Sequence, residues 1–153
     1  MITPDFRGVH YSRRLDWAKD NLRPFQTKYA VVYQLDWEPP AQIMHPSPEF
    51  MAAAMQGGIL PPIEAILALK EEAESPGFRR HTLGPQRDAA PPLAALTEEE
   101  SVEYQIMQSI PRKIWDGTSG SNSRQMVICH RNKLPASREF RDAWRLNLDL
   151  EAA

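Results

Sequence analysis

Proline sets the limits of this chain. Fourteen of its 153 residues are proline, nearly double the ~5% of ordinary usage. The proline ring fixes φ and removes the backbone N–H, so helices and central strands stop at it. Regular elements must be short and must fit between breaks such as Pro39-Pro40, Pro61-Pro62, Pro91-Pro92 and Pro111.

Composition is otherwise ordinary for a globular protein, with 25% charged and 42% hydrophobic residues. A chain of this length fits one modest domain or two small units that lean on each other. The net charge of -2 supplies no general attraction to nucleic acid or to an anionic membrane. One cysteine excludes an internal disulfide framework. The start, Met1-Ile2-Thr3-Pro4-Asp5-Phe6-Arg7, has no apolar run of signal-peptide type. No stretch reaches the ~18 apolar residues that span a bilayer. The expectation is a protein kept in the cytosol, or carried out of it as part of something larger.

The first 45 residues show no clean helical period. Within them, 29–37 (Tyr29-Ala-Val-Val-Tyr-Gln-Leu-Asp-Trp37) is β-branched and aromatic and ends at Glu38-Pro39-Pro40. Alternation puts Tyr29, Val31, Tyr33, Leu35 and Trp37 on one face, and Ala30, Val32, Gln34 and Asp36 on the other. This predicts a half-buried strand, with Trp17 as a partner for its apolar face. Ser47-Pro48-Glu49 then combines a capping hydroxyl, a first-turn proline and a dipole-favoured acid. The helix that follows should end at Gly57-Gly58 in a left-handed cap. Pro61-Pro62 opens a second helix, from Ile63 to about Glu74, with Ile63, Ile66, Leu67 and Ala73 as its apolar stripe. Together, 48–74 predicts a helical hairpin.

Residues 75–95 hold six Pro and Gly residues and few large apolar ones. They predict an extended arm, ordered most readily against a partner. Thr97-Glu98-Glu99-Glu100 is a capping box. The helix it starts should run to about Ser109, with Val102, Ile106 and Ile110 aligned, and Pro111 should stop it. The run 117–123 reads as a loop, and Gln125-Met-Val-Ile-Cys-His130 as a short strand. The expected fold is α+β, in two small lobes: 1–74, with strand 29–37 and hairpin 48–74, and 96–153, joined by the Pro-rich arm 75–95.

Catalytic chemistry finds little support in the residues. Cys129 and His130 are adjacent, so in a strand they point to opposite faces and make no thiolate–imidazole pair; a structural cysteine is favoured over a nucleophile. His10, His45, His81 and His130 lack metal-ligand spacing. The 117–123 loop lacks the lysine and helix start of a P-loop. No catalytic, cofactor-binding or metal residues are therefore expected. The closing segment is more informative. Phe140 and Trp144 stand at helical spacing among Arg138, Arg141 and Arg145, behind a helix-start signal at Ser137. With Arg112, Lys113, Arg124, Arg131 and Lys133 before them, these residues are the best nucleic-acid argument in the chain. Arginine with tryptophan is equally the composition of protein–protein hot spots, and a protein interface is the favoured reading.

The span 96–146 resembles a small module in proteins of tailed bacteriophages and prophages. The matching residues are Thr97-Glu98-Glu99-Glu100, Val127-Ile128 and the ending Leu134-Pro135-Ala136-Ser137-Arg138-Glu139-Phe140-Arg141-Asp142-Ala143-Trp144. They cover about a third of the chain. The ending is fairly specific, and the helix and strand are weak alone. Beyond Trp144 the likeness stops, where members of that family continue into a further helical segment. The resemblance implies a structural or tail-associated virion protein and brings no catalytic residues. On this reading Phe140 and Trp144 anchor the module, while Arg138, Arg141 and Arg145 meet other virion proteins through charge-assisted contacts. Several symmetric copies are expected, in a virion assembled in the host cytoplasm. The alternatives are an assembly chaperone or regulatory factor absent from the particle, and a single-strand nucleic-acid-binding protein.

Overall fold

A computed structural model describes residues 4–34, 40–74, 90–115 and 126–134. The fold is α+β. In chain order the elements are α1 (Tyr11–Asn21), β1 (Tyr29–Tyr33), β2 (Gln42–Met44), α2 (Pro48–Gln56), α3 (Ile63–Glu74), α4 (Glu98–Ser109), the single turn α5 (Arg112–Trp115) and β3 (Met126–His130). They form two compact units. The first comprises Met1–Gln26 and Ser47–Tyr104, the second Thr27–Pro46 and Gln105–Ala153. Each unit takes two segments of chain, and the boundary at Tyr104 falls inside α4. The division into consecutive lobes about a 75–95 arm is not the division observed.

The first unit opens with a helix the sequence did not announce. The buried residues of α1 are Tyr11, Arg14 and Ala18, the i, i+3, i+7 face of a helix. An arginine in the middle of that stripe hides its periodicity. His10 at the N-cap supplies no side-chain hydrogen bond, so the usual start signal is absent too. Ahead of α1, the Val9 N–H donates to the Phe6 carbonyl at 3.0 Å, with Gly8 at φ 79°. A turn with positive φ at its third residue favours glycine there. It folds Phe6 back edge-on against Trp17, with ring centres 5.5 Å apart. Trp17 thus serves the core of this unit, which includes Phe6, Tyr11, Ala53, Ala54, Ile59 and Leu60.

The sequence signals of α2 and α4 hold. The Phe50 N–H donates to Ser47 Oγ at 3.3 Å, with Pro48 in the first turn. At α4 the capping box closes both ways: the Glu100 N–H donates to Thr97 Oγ1 at 3.1 Å, and the Thr97 N–H to Glu100 Oε1 at 3.0 Å. Val102, Ile106 and Ile110 are all buried. Helix α2 packs on α1, so the expected hairpin partner α3 is not its main helical neighbour. The end of α2 also differs from expectation. Gly57 has φ 79° and ψ 161°, outside the left-handed helical well and in a region essentially restricted to glycine.

The reason lies in the end of the Pro-rich stretch. Residues 93–96 are tied along the α2–α3 connection. The Leu93 N–H donates to the Leu60 carbonyl at 2.8 Å, Gly58 N–H to Leu93 carbonyl at 2.7 Å, and Leu96 N–H to Ala54 carbonyl at 3.0 Å. Leu93 and Leu96 pack against the core. The last residues of the expected arm are therefore a docked strap; 75–89 lie outside the described residues.

The second unit holds a three-stranded antiparallel sheet in the order β2-β1-β3. In the centre, β1 pairs Val32 with Ile43 on one side and with Val127 on the other. The expected half-buried strand is a correction: Ala30, Val32 and Gln34, assigned to the open face, are buried, as is Val31. Both faces of β1 are covered here, which alternation alone does not report. Its continuation through Leu35, Asp36 and Trp37 lies outside the described residues. On one face Val32, Ala41, Val127 and Cys129 form a small core, with Ile43 and Leu134 beside it.

The strap predicts one sensitive glycine. A Cβ on Gly57 would stand 2.4 Å from the Ala95 backbone nitrogen, whereas one on Gly8 would meet nothing within 4 Å. Both glycines have positive φ, so both changes carry backbone strain of ~1–3 kcal/mol. Gly57→Ala should therefore lose clearly more stability than Gly8→Ala in urea denaturation, by at least about 1 kcal/mol beyond the shared strain. Equal losses would count against the close approach.

Candidate docking site

The described chain reaches the expected docking segment through the end of β3. After His130 the backbone winds one 3-10 turn, Arg131–Lys133, in which the Leu134 N–H donates to the Arg131 carbonyl at 3.2 Å. Another hydrogen bond fixes that turn to the sheet, from the Arg131 N–H to the Lys28 carbonyl at 2.8 Å. Leu134 is half-buried and packs on the Val32, Ala41, Val127 and Cys129 core. The residue that opens the 134–144 motif is thus held by backbone and side chain alike.

The pairing also gathers charge. The register sets Tyr29 opposite His130, with ring centres 5.5 Å apart. Lys28 Nζ lies 5.2 Å from the centre of the Tyr29 ring, within cation–π range. Lys28, Arg131 and Lys133 are all exposed. No Asp or Glu occurs among the described residues of this unit. One end of the sheet is therefore a cationic corner with an aromatic floor. Arg131 and Lys133 belonged to the expected basic set. Lys28 and Tyr29 did not, because only the strand pairing brings them to the far end of the sequence.

The residues expected to bind partners, Arg138, Phe140, Arg141, Trp144 and Arg145, lie outside the described residues, as do Arg124 and the 117–123 loop. Arg112 and Lys113 fall on the single turn of α5. Cys129 is fully buried in the sheet core, and burial raises its thiol pKa, with Lys133 acting in the opposite sense. That is the environment of a structural cysteine rather than a nucleophile. Among the described residues no three His, Cys, Asp or Glu groups cluster in a way that could hold a metal. His81 lies outside them. No described helix is long and apolar enough to cross a membrane.

The first unit contains a buried polar cluster that the sequence did not announce. The guanidinium of Arg14 lies 5.6 Å from the centre of the Tyr11 ring, and both residues are buried. Nearby, the Tyr104 hydroxyl donates to the Pro61 carbonyl at 2.8 Å. Burial raises the Tyr104 pKa well above that of a free phenol; Tyr11 and Glu64 add to the rise and Arg14 opposes it. The Tyr104 hydrogen bond spans from α4 to the Pro61-Pro62 turn, which makes this a packing device within the unit. No family model matches the chain, and no curated protein or solved structure matches it.

Cys129 and Tyr104 together predict alkaline sensitivity. Both folded-state pKa values are raised, so the unfolded chain loses these protons first as pH rises. Their stabilisation is complete below the ordinary thiol value of ~8.5 and declines as pH climbs toward the folded values. The urea midpoint should fall between pH 8 and pH 10.5, and Cys129→Ala should flatten the early part of that fall. At pH 8 the native thiol should react with a disulfide reagent far more slowly than in urea. Complete labelling within mixing time would contradict the buried position.

Proposed function

We propose that this chain is a structural component of a tailed-bacteriophage virion, acting in the tail, baseplate or neck as an adaptor that docks other virion proteins. The observation that carries the reading is the 134–144 motif attached to a fixed point on the sheet. A segment whose first residue is already ordered loses less conformational freedom when it docks. Phe140 and Trp144 anchor the module, and Arg138, Arg141 and Arg145 supply charge-assisted contacts to the partner. Recognition is the whole of the mechanism, and no catalytic step is assigned. Several copies act together about a symmetry axis.

The test uses particles purified from the phage or prophage whose genome encodes the chain. The wild-type chain should be a band in those particles, and Trp144→Ala should be expressed normally yet be depleted at least tenfold. Absence of the wild-type chain would replace this reading with that of an assembly factor that leaves before maturation. Wild-type incorporation of the variant would remove the docking role from the segment.

A further inference from the structure

We propose that the cationic corner of the sheet unit docks a second copy of this chain, which receives it on its acidic first unit in a head-to-tail contact. This inference goes beyond the virion reading and does not depend on it.

The near-neutral net charge conceals two poles. The first unit carries nine Lys and Arg against thirteen Asp and Glu, a net charge of -4; the second carries nine against seven, a net of +2. The imbalance is sharper where the structure is described. There the second unit has Lys28, Arg112, Lys113, Arg131 and Lys133 and no acid. The first unit exposes Glu64 and Glu71 on α3 and Glu103 on α4, while on α1 the exposed Asp16 and Asp20 stand beside the exposed Arg13 and Lys19. Glu103 lies beyond the first turn of α4, so the helix dipole, which explains Glu98 to Glu100, does not explain it.

Opposite poles on one chain favour a copy of itself over a polyanion. Nucleic acid would meet attraction at the second unit and a larger repulsion from the first, whereas a second copy offers its acidic unit to the basic corner. The corner is also pre-organised. The Arg131 to Lys28 backbone hydrogen bond and the β1–β3 ladder fix the backbones of those cations, leaving only side-chain freedom to be lost on contact. Because the two poles are different surfaces, the contact is heterologous, and its repetition makes a ring or a filament according to the rotation.

Sedimentation of the full chain tests the contact, at ~20 mM and ~500 mM salt, on either side of the screening length of the interaction. Concentration-dependent association is expected at low salt and should be lost at high salt. The double variant Arg131→Glu, Lys133→Glu changes only exposed side chains, and its thermal melt should match wild type. Its self-association should weaken by about tenfold or more. A tagged form of this variant keeps its acidic pole, so it should retain untagged wild-type chain but not untagged variant. A monomer at every salt and concentration would overturn the proposal. So would association that the double variant leaves unchanged, or salt-sensitive retention on an oligonucleotide column without self-association. Failure here leaves the incorporation of the chain into particles untouched, so the two readings are separately decided.

Discussion

The pairing of β1 with β3 is the constraint on which the second unit rests. A two-stranded ribbon of β1 and the three-residue β2 would be marginal in water, and β3 supplies the third strand from the opposite part of the sequence. Register carries the consequences. With Tyr29 opposite His130, the side chains of Val127 and Cys129 share the face of Val32 and close a small core. The same register lets the Arg131 N–H reach the Lys28 carbonyl. A slip of one residue would turn Val127 and Cys129 to the other face and undo the corner together with the core.

The first unit is governed by a different constraint, the approach of the 93–96 strap to the end of α2. Pro91 and Pro92 favour extended backbone and donate no hydrogen bond. The residues just after them do donate, Leu93 to Leu60 and Leu96 to Ala54. Gly57 makes room, and Gly57 and Gly58 both adopt positive φ in that connection. Proline therefore limits the elements of this chain and also shapes the connection that closes one of its cores. The Tyr104 hydrogen bond to the Pro61 carbonyl fastens α4 to the same region.

Local signals were legible in the sequence, and long-range ones were not. The Ser47 cap, the reciprocal Thr97–Glu100 box and the stop at Pro111 each depend on residues within one turn of each other, and each formed as read. Helix α1 escaped because Arg14 occupies a buried position that pattern reading reserves for apolar residues. The burial of both faces of β1 escaped because alternation describes an edge or half-covered strand. The strap escaped because a Pro-rich stretch looks the same from its composition whether it hangs free or is docked. Most consequential, the last third of the chain reads as a lobe of its own, and its strand β3 pairs with a strand from the first third. The aromatic and arginine motif at 138–145 was legible as a motif; its anchor at Leu134 became visible only through the sheet.

The same long-range pairing explains why whole-chain charge is a poor guide here. Averaged over 153 residues, the charge is -2 and argues for nothing. The fold sorts those residues by unit, and sorting is what creates a field. Lys28 would stand apart from the other cations of its unit if β3 did not bring Arg131 beside it. Once gathered, three cations on pinned backbone reinforce one another toward an acidic surface, because each added charge meets a partner without a new cost of ordering the chain. The corner ends where Leu134 is seated, and there the 134–144 motif begins. Its arginines are therefore tethered to a surface that already has their sign of charge. The point from which the motif departs thus depends on the integrity of a sheet whose strands come from the first and the last third of the chain.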